Sequence, residues 1–427
     1  MTSIRQAGES PAAPSRLPPF LRARFGDLPR SFWVLWAGSL VNRIGTMVEP
    51  FLAFYLNGVR GLSIIATGLV MAVFAVGSII SQFVGGVLAD RIGRRATLTG
   101  GMLANAVAMV ILGYVTAIPA VVVTVLFLGI TIDMYRPASA ALVADLVPSA
   151  ERPRAFGLLF WAVNLGFAVA MVAGGMLARS GFIWLFWADA ITCAIFGLLV
   201  WRAIPETRIR KPAHEREPGG FGTVLKDKVM LAVVLITLLY MFVYYQAYTT
   251  MPMSMHAQGL PPSAYGFAMA LNGLVIVVIQ PLVVNWLGRH DRSRVIACGM
   301  ITVGCGFGLI TFASTALEYA ATVLVWTLGE IVFAAVAGSV VVDLAPPHLR
   351  GRYDGLWGIA WSTGALLAPL GGTRLLAIGR PVLWLGCLGL TVAGAAGQLL
   401  LGPAIRRRTP TPFSDSDVVQ KPEVATS

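Results

Sequence analysis

The sequence predicts an all-α integral membrane protein, with twelve transmembrane helices in two pseudo-symmetric six-helix bundles. Three observations carry this. Of 427 residues, 57% are hydrophobic and 12% charged, with a mean hydropathy of +0.76, a balance foreign to water-soluble domains of this length. Twelve apolar stretches are each long enough to cross about 30 Å of hydrocarbon, which takes about 20 helical residues. A shift of 198 residues also lays the second half of the chain on the first, without a gap over long stretches.

The first six spans are expected at 30–57, 63–89, 96–116, 119–145, 153–178 and 181–203, and the second six at 228–256, 261–287, 295–313, 317–343, 350–377 and 380–403. They are apolar all round, whereas barrel strands alternate apolar and polar residues, so a β-barrel is excluded. The chain thus divides into a cytoplasmic N-terminal tail (1–29), an N-terminal bundle (30–203), a cytoplasmic linker (204–227), a C-terminal bundle (228–403) and a cytoplasmic C-terminal tail (404–427). A net charge of +12 would also suit a nucleic-acid binder, but 26 of the 32 Lys and Arg fall on one side, in or beside the tails and even-numbered loops. Only Arg60, Arg179, Arg374 and Arg380 fall opposite. The positive-inside rule then makes both termini cytoplasmic, as in a multi-pass protein of the plasma membrane, the inner membrane of a bacterium. No apolar run precedes residue 32, so no cleavable leader is expected and the first span directs insertion. Cys193, Cys298, Cys305 and Cys387 lack metal-ligand spacing and read as small packing residues.

The repeat is detailed. Asp145 falls on Asp343, Arg152 on Arg350, Arg154 on Arg352, Arg94 on Arg292, Gly166 on Gly364 and Gly174 on Gly372. Six helices per half keep both copies in one orientation, which suits one bundle rocking against the other about a central site.

Between the second and third spans runs Gly86-Val87-Leu88-Ala89-Asp90-Arg91-Ile92-Gly93-Arg94-Arg95. It resembles the G-x-L-a-D-r-x-G-r-r signature of the major facilitator superfamily. Tyr135-Arg136-Pro137-Ala138 and Ala144-Asp145-Leu146-Val147-Pro148 resemble the superfamily's bacterial twelve-helix multidrug exporters, and the likeness covers about residues 30–403. The resemblance implies a conformational latch, in which Asp90 meets the start of the eleventh helix, where the helix dipole favours a carboxylate, and Arg94 pairs with Asp145. Gly86, Arg91, Gly93 and Arg95 belong to the same switch loop. The second-half copy has Gly288 at the Asp90 position, so the latch is expected to be asymmetric. Gly157, Gly166, Gly174 and Gly175 of the fifth span resemble the antiporter motif of the drug:proton branch, with Ala170-Met171 in place of its Gly-Pro. Taken as residues alone, the same glycines serve close helix packing. Asp145 with Arg154, and Asp343 with Arg352, recur in both halves and read as ion pairs closing helix corners.

Ionisable side chains inside a span cost about 2.5–3.5 kcal/mol on insertion and mark function by default. Arg43, Glu49, Asp133, Arg136 and Glu330 lie near mid-membrane depth, and their counterparts at the shift are Met241, Ala247, Ile331, Ala334 and Ile132. Scaffold repeats and these charges do not, which argues for chemistry at one site. Asp133 and Arg136, three residues apart, can neutralise each other. Glu49 and Glu330 have no basic residue one turn away on their own helices, and with Asp133 they are the proton-coupling candidates; a bond to a neighbouring helix is the other reading. Asp189 reads as an anchor for the outer end of the sixth span.

Substrate-binding candidates are Asn42, Arg43, Arg136, Asn164, Tyr240, Tyr244, Tyr248, Asn272, Trp326, Trp357 and Trp361. Tyr240, Tyr244 and Tyr248 make a helical stripe, suited to a flat lipophilic ligand, to a cation over its rings, or to packing. Nothing resembles a phosphate loop, a nucleophile triad or a metal site, so the chain is expected to be no enzyme, to need no cofactor and to draw on a proton gradient. The expected function is proton-coupled export of small amphipathic or lipophilic compounds by alternating access. A functional monomer is expected, with a small-molecule substrate, protons and lipid as partners and no nucleic acid. An importer or facilitator of a polar metabolite, and a non-transporting membrane sensor, are the alternatives.

Overall fold

The computed structural model describes residues 28–148, 151–206, 224–346 and 349–408. The rest of both tails, linker residues 207–223 and the side chain of Asp90 lie outside the described residues. In the first half, α1 (Arg30–Gly45), α2 (Val48–Phe54) and a π turn (Tyr55–Val59) are followed by α3 (Ile64–Arg91), α4 (Arg94–Tyr114), α5 (Ile118–Ile132), α6 (Tyr135–Leu146), α7 (Arg152–Ser180) and α8 (Ile183–Ala203). The second half has α9 (Lys228–Tyr244), a 3-10 turn (Tyr245–Ala247), α10 (Thr250–Ala257), α11 (Pro262–Leu287), α12 (Arg292–Leu309), α13 (Ala316–Leu344), α14 (Arg350–Ile378) and α15 (Arg380–Arg406).

Helices stand at all twelve expected spans. Among the described residues nine are long and apolar enough to cross a membrane; the broken α1–α2, the glycine-rich α12 and α14, which begins with charged residues, are not among them. The helix bounds obey the repeat, since α7 shifted by 198 residues coincides with α14. Outward faces carry large apolar side chains such as Phe83, Leu282, Phe312 and Leu400, each more than 70% exposed, as lipid contact requires.

Three spans expected to be continuous are broken, and proline explains each. A proline has no N–H for the carbonyl four residues back, and its ring crowds that carbonyl. Pro50 acts in this way on Thr46, Pro137 on Asp133 and Pro252 on Tyr248, which are the residues at the three interruptions.

The halves meet chiefly through α7 on α11 and α3 on α14. These contacts are equivalent under the repeat. At the end of the molecule remote from Arg94, glycines allow close approach: a Cβ on Gly266 would lie 3.1 Å from Gly175 Cα, and one on Gly68 would lie 2.7 Å from the Pro369 carbonyl. Phe51 meets Tyr265 at 5.3 Å between ring centroids, and Phe54 meets His256 at 5.0 Å. This far end is closed.

Candidate functional site

A cavity of about 510 Å³ lies between the halves. It runs from Met71 and Pro369 toward Gln82 and Asp354, at the Arg94 end, where Asp354 is exposed. Thr46, Asp133 and Tyr248, the residues at the three proline breaks, all line it. Broken backbone is tolerated at membrane depth where it borders a cavity, and here it turns those residues toward the centre.

The two walls differ in chemistry. The first half supplies Arg43, Glu49, Asp133 and Arg136, and the second half supplies Tyr244, Tyr245, Tyr248, Trp357 and Trp361. Arg136 Nε lies 2.7 Å from Asp133 Oδ1, and the Ser78 hydroxyl donates to the other carboxylate oxygen. The Arg43 guanidinium lies 5.8 Å from the centre of the Phe167 ring. Opposite, the Tyr244 and Tyr248 hydroxyls are 3.3 Å apart. Trp357 and Trp361 meet edge to face at 5.6 Å, and the Trp357 indole N–H donates to Thr237 Oγ1 at 3.1 Å.

Behind the aromatic wall sits Glu330. Asn272 donates to its Oε2 at 2.7 Å and also to Thr327 Oγ1 at 3.0 Å, so the acid's partner comes from α11. Tyr244 lines the cavity and Glu330 does not.

At the Arg94 end, Arg94 forms an ion pair with Asp145, and Arg292 repeats it with Asp343. The expected Asp145–Arg154 and Asp343–Arg352 pairs are not the ones formed. Arg154 binds Glu151 at 3.0 Å one turn away, and Arg352 Nη1 is buried without a hydrogen-bond partner among the described residues. The reason is geometric: Arg94 and Arg292 open α4 and α12 beside the ends of α6 and α13, whereas Arg154 lies beyond the intervening turn. Gly93 adopts a φ of 107°, where L side chains are strained. A Cβ there would also strike the Glu206 carboxylate, which accepts from the Arg95 and Ala96 N–H groups at 3.1 and 3.0 Å and so caps α4. The Arg95 guanidinium lies 4.6 Å from the Trp201 ring centre. Arg91 is exposed.

The sequence profile described as Major Facilitator Superfamily matches residues 35–261 and 247–424. The chain belongs to this superfamily. It is a transporter and not an enzyme. It is 26% identical to the multidrug resistance protein MdtH of Aeromonas hydrophila over 380 residues, 86% of this chain and 94% of that one. It is 22% identical to a Na(+), Li(+), K(+)/H(+) antiporter of Planococcus maritimus over 379 residues, 81% of this chain and 89% of that one. The crystal structure of a peptide transporter, POT, in complex with sulfate superimposes with a TM-score of 0.76, covering 90% of this chain and 96% of that one at 15% identity; it shares the major facilitator fold.

Within this fold the substrate candidates separate. Arg43, Arg136, Tyr244, Tyr248, Trp357 and Trp361 line the cavity, and five others do not. Tyr240 is buried and stacks on Phe333, with centroids 3.7 Å apart. Trp326 is fully buried against Phe307. Asn164 turns back to the Phe160 carbonyl of its own helix, Asn272 holds Glu330, and Asn42 binds Cys193 Sγ at 3.2 Å. Two members of the tyrosine stripe, Tyr244 and Tyr248, keep to the wall and the 3-10 turn adds Tyr245 between them, whereas Tyr240, one turn earlier, is covered by Phe333. Ser78, Phe167, Tyr245, Asp354 and Glu206 were not singled out from sequence; only the acids carried a signal, as charges near span ends. Gly166 and Gly174 seat α7 against Arg43 and against Phe51 with Met47, and Gly175 faces Ser263 of α11. Gly86 and Gly157 have no described atom within 4 Å of an added Cβ, so nothing described requires glycine there.

Proposed function

We propose that this transporter is a proton-coupled exporter of small amphipathic or lipophilic compounds, of the multidrug type. The observation that carries the reading is the divided cavity: an aromatic wall from one half faces an ionisable wall from the other. Such a site takes a flat apolar body against the tyrosines and tryptophans, and a polar or charged group against Arg43, Glu49, Asp133 and Arg136. MdtH and the Planococcus antiporter bear names consistent with this reading.

The bundles 30–203 and 228–403 rock about the cavity, with the tails and linker at the Arg94 end, in the cytoplasm of a bacterium. The switch loop, with Asp90 and the Arg94–Asp145 pair, governs that motion, and a proton gradient with no cofactor drives it. A carboxyl in the wall takes up a proton when its basic neighbour moves away and loses it when the neighbour returns. Purified protein in vesicles with an imposed pH gradient, screened against chemically diverse compounds, tests this: proton flux opposite to substrate flux is expected. The charged wall also favours a second reading, uptake of a polar metabolite, in which proton and substrate would move together or the gradient would have no effect.

A further inference from the structure

Beside the main cavity lies a polar chamber of about 10 Å³, room for a single water. Arg43, Thr46, Glu49, Asp133 and Arg136 border both spaces. Asp189 borders only the chamber. Its side chain is on α8, 1% exposed, and its Oδ2 accepts from the Val48 N–H at 3.2 Å. That donor is one of the N–H groups freed by the break between α1 and α2, so Asp189 caps the start of α2 from a neighbouring helix. The residues that α2 carries, Phe51 and Phe54, are those that close the far end against Tyr265 and His256.

We propose that Asp189 is a proton-sensitive lock on the far-end closure. As a carboxylate it holds Val48 by a charge-assisted hydrogen bond, and α2 stays seated. A proton arriving past Glu49 through the chamber bonds to a carboxylate oxygen; no other bond is made or broken. The Val48 contact then becomes neutral and weaker, and α2 is released. The groups facing Asp189 are Arg43 and Glu49 from the first span, Asp133, Tyr135 and Arg136 from the fourth, and Cys193 on its own helix, with neutral Asn105 and Met102 from α4. Asp189 acts through α2 and is a positioning residue. This inference rests on the proton-coupled reading above.

Amide hydrogen exchange on the full-length protein in nanodiscs, without substrate or gradient, tests the lock. After correction for intrinsic exchange, protection of Val48–Phe54 is expected to fall about tenfold from mildly alkaline to mildly acidic pH, the difference between a charge-assisted and a neutral hydrogen bond. Asp189→Asn should show the low protection at every pH, Glu49→Gln should keep the step, and α12 should not change. A wild-type segment without the step, or a step that survives Asp189→Asn, would overturn the lock. If the step is absent while pH-driven transport persists, the lock alone is wrong. If the wild-type protein shows the step without pH-driven transport, the exporter reading is wrong.

Discussion

Arg136 and Asp133 form a close ion pair, yet the arginine side chain is 56% exposed to the cavity. Such a pair contributes about 0–1 kcal/mol, rather than the 3–5 kcal/mol lost when a fully buried pair is broken. Asp133→Asn should therefore leave thermal stability within about 1 kcal/mol of wild type and weaken substrate binding, which calorimetric melting and a ligand titration would separate. Glu49 and Glu330 diverge in the structure. Glu49 lines the cavity, whereas Glu330 does not and is held by Asn272. Glu49→Gln should abolish accumulation driven by a pH gradient while sparing downhill exchange, and Glu330→Gln should retain both at reduced rates. Vesicles of the Glu49 variant that still pump uphill would mean the proton travels elsewhere. At this scale the charges were legible because they are rare in apolar spans. The burial of Tyr240 and Trp326 was not, because it depends on Phe333 and Phe307 from other parts of the fold.

The repeated ion pairs belong to the elements. Charge reversal at Arg94 or Asp145 alone should impair transport, and the double reversal Arg94→Asp with Asp145→Arg should restore part of it. Reversal of Asp145 with Arg154 should restore nothing, and vesicle transport rates decide between the two partners. A second device caps α9. Asp227 accepts from the Val229 and Met230 N–H groups, from the Tyr353 hydroxyl at 2.8 Å and from Arg408 at 2.7 Å. Partial burial pushes its carboxyl upward, but the Arg408, Tyr353 and backbone hydrogen bonds outweigh this and hold it below the usual aspartate range. Because the group is depressed in the folded state, its stabilisation is present above the usual range and is lost as pH falls through the folded value. Asp227→Asn keeps the cap but not the charge, so its melting temperature should lie below wild type at neutral pH and converge with it in acid. Asp227→Ala removes the cap as well, at a cost of about 1 kcal/mol. The bound at Asp227 was legible from its place before an apolar run; Arg408, 181 residues away, was not.

Among the described residues the molecule is closed at one end and open at the other. Closure depends on backbone contact between Gly175 and Gly266, where any added side chain forces the halves apart. Gly266→Val should overpack the interface by about 1–3 kcal/mol, a shift of about 5- to 150-fold away from this state. Labelling of the cavity by impermeant reagents from the far side should rise accordingly. Unchanged labelling would mean that the contact does not hold the gate.

Composition, hydropathy and the 198-residue repeat determined the architecture by themselves, because in lipid each helix satisfies its own backbone and its length is set by the bilayer. They also marked the charges at mid-depth, while the switch loop was marked by its motif's resemblance to the superfamily signature. Only the tertiary structure decided which of those residues share a cavity, which acid pairs with which arginine, and which end is closed. Such choices rest on contacts between helices far apart in sequence, and on the breaks at Pro50, Pro137 and Pro252, which rotate side chains out of the phase that an unbroken helix would impose.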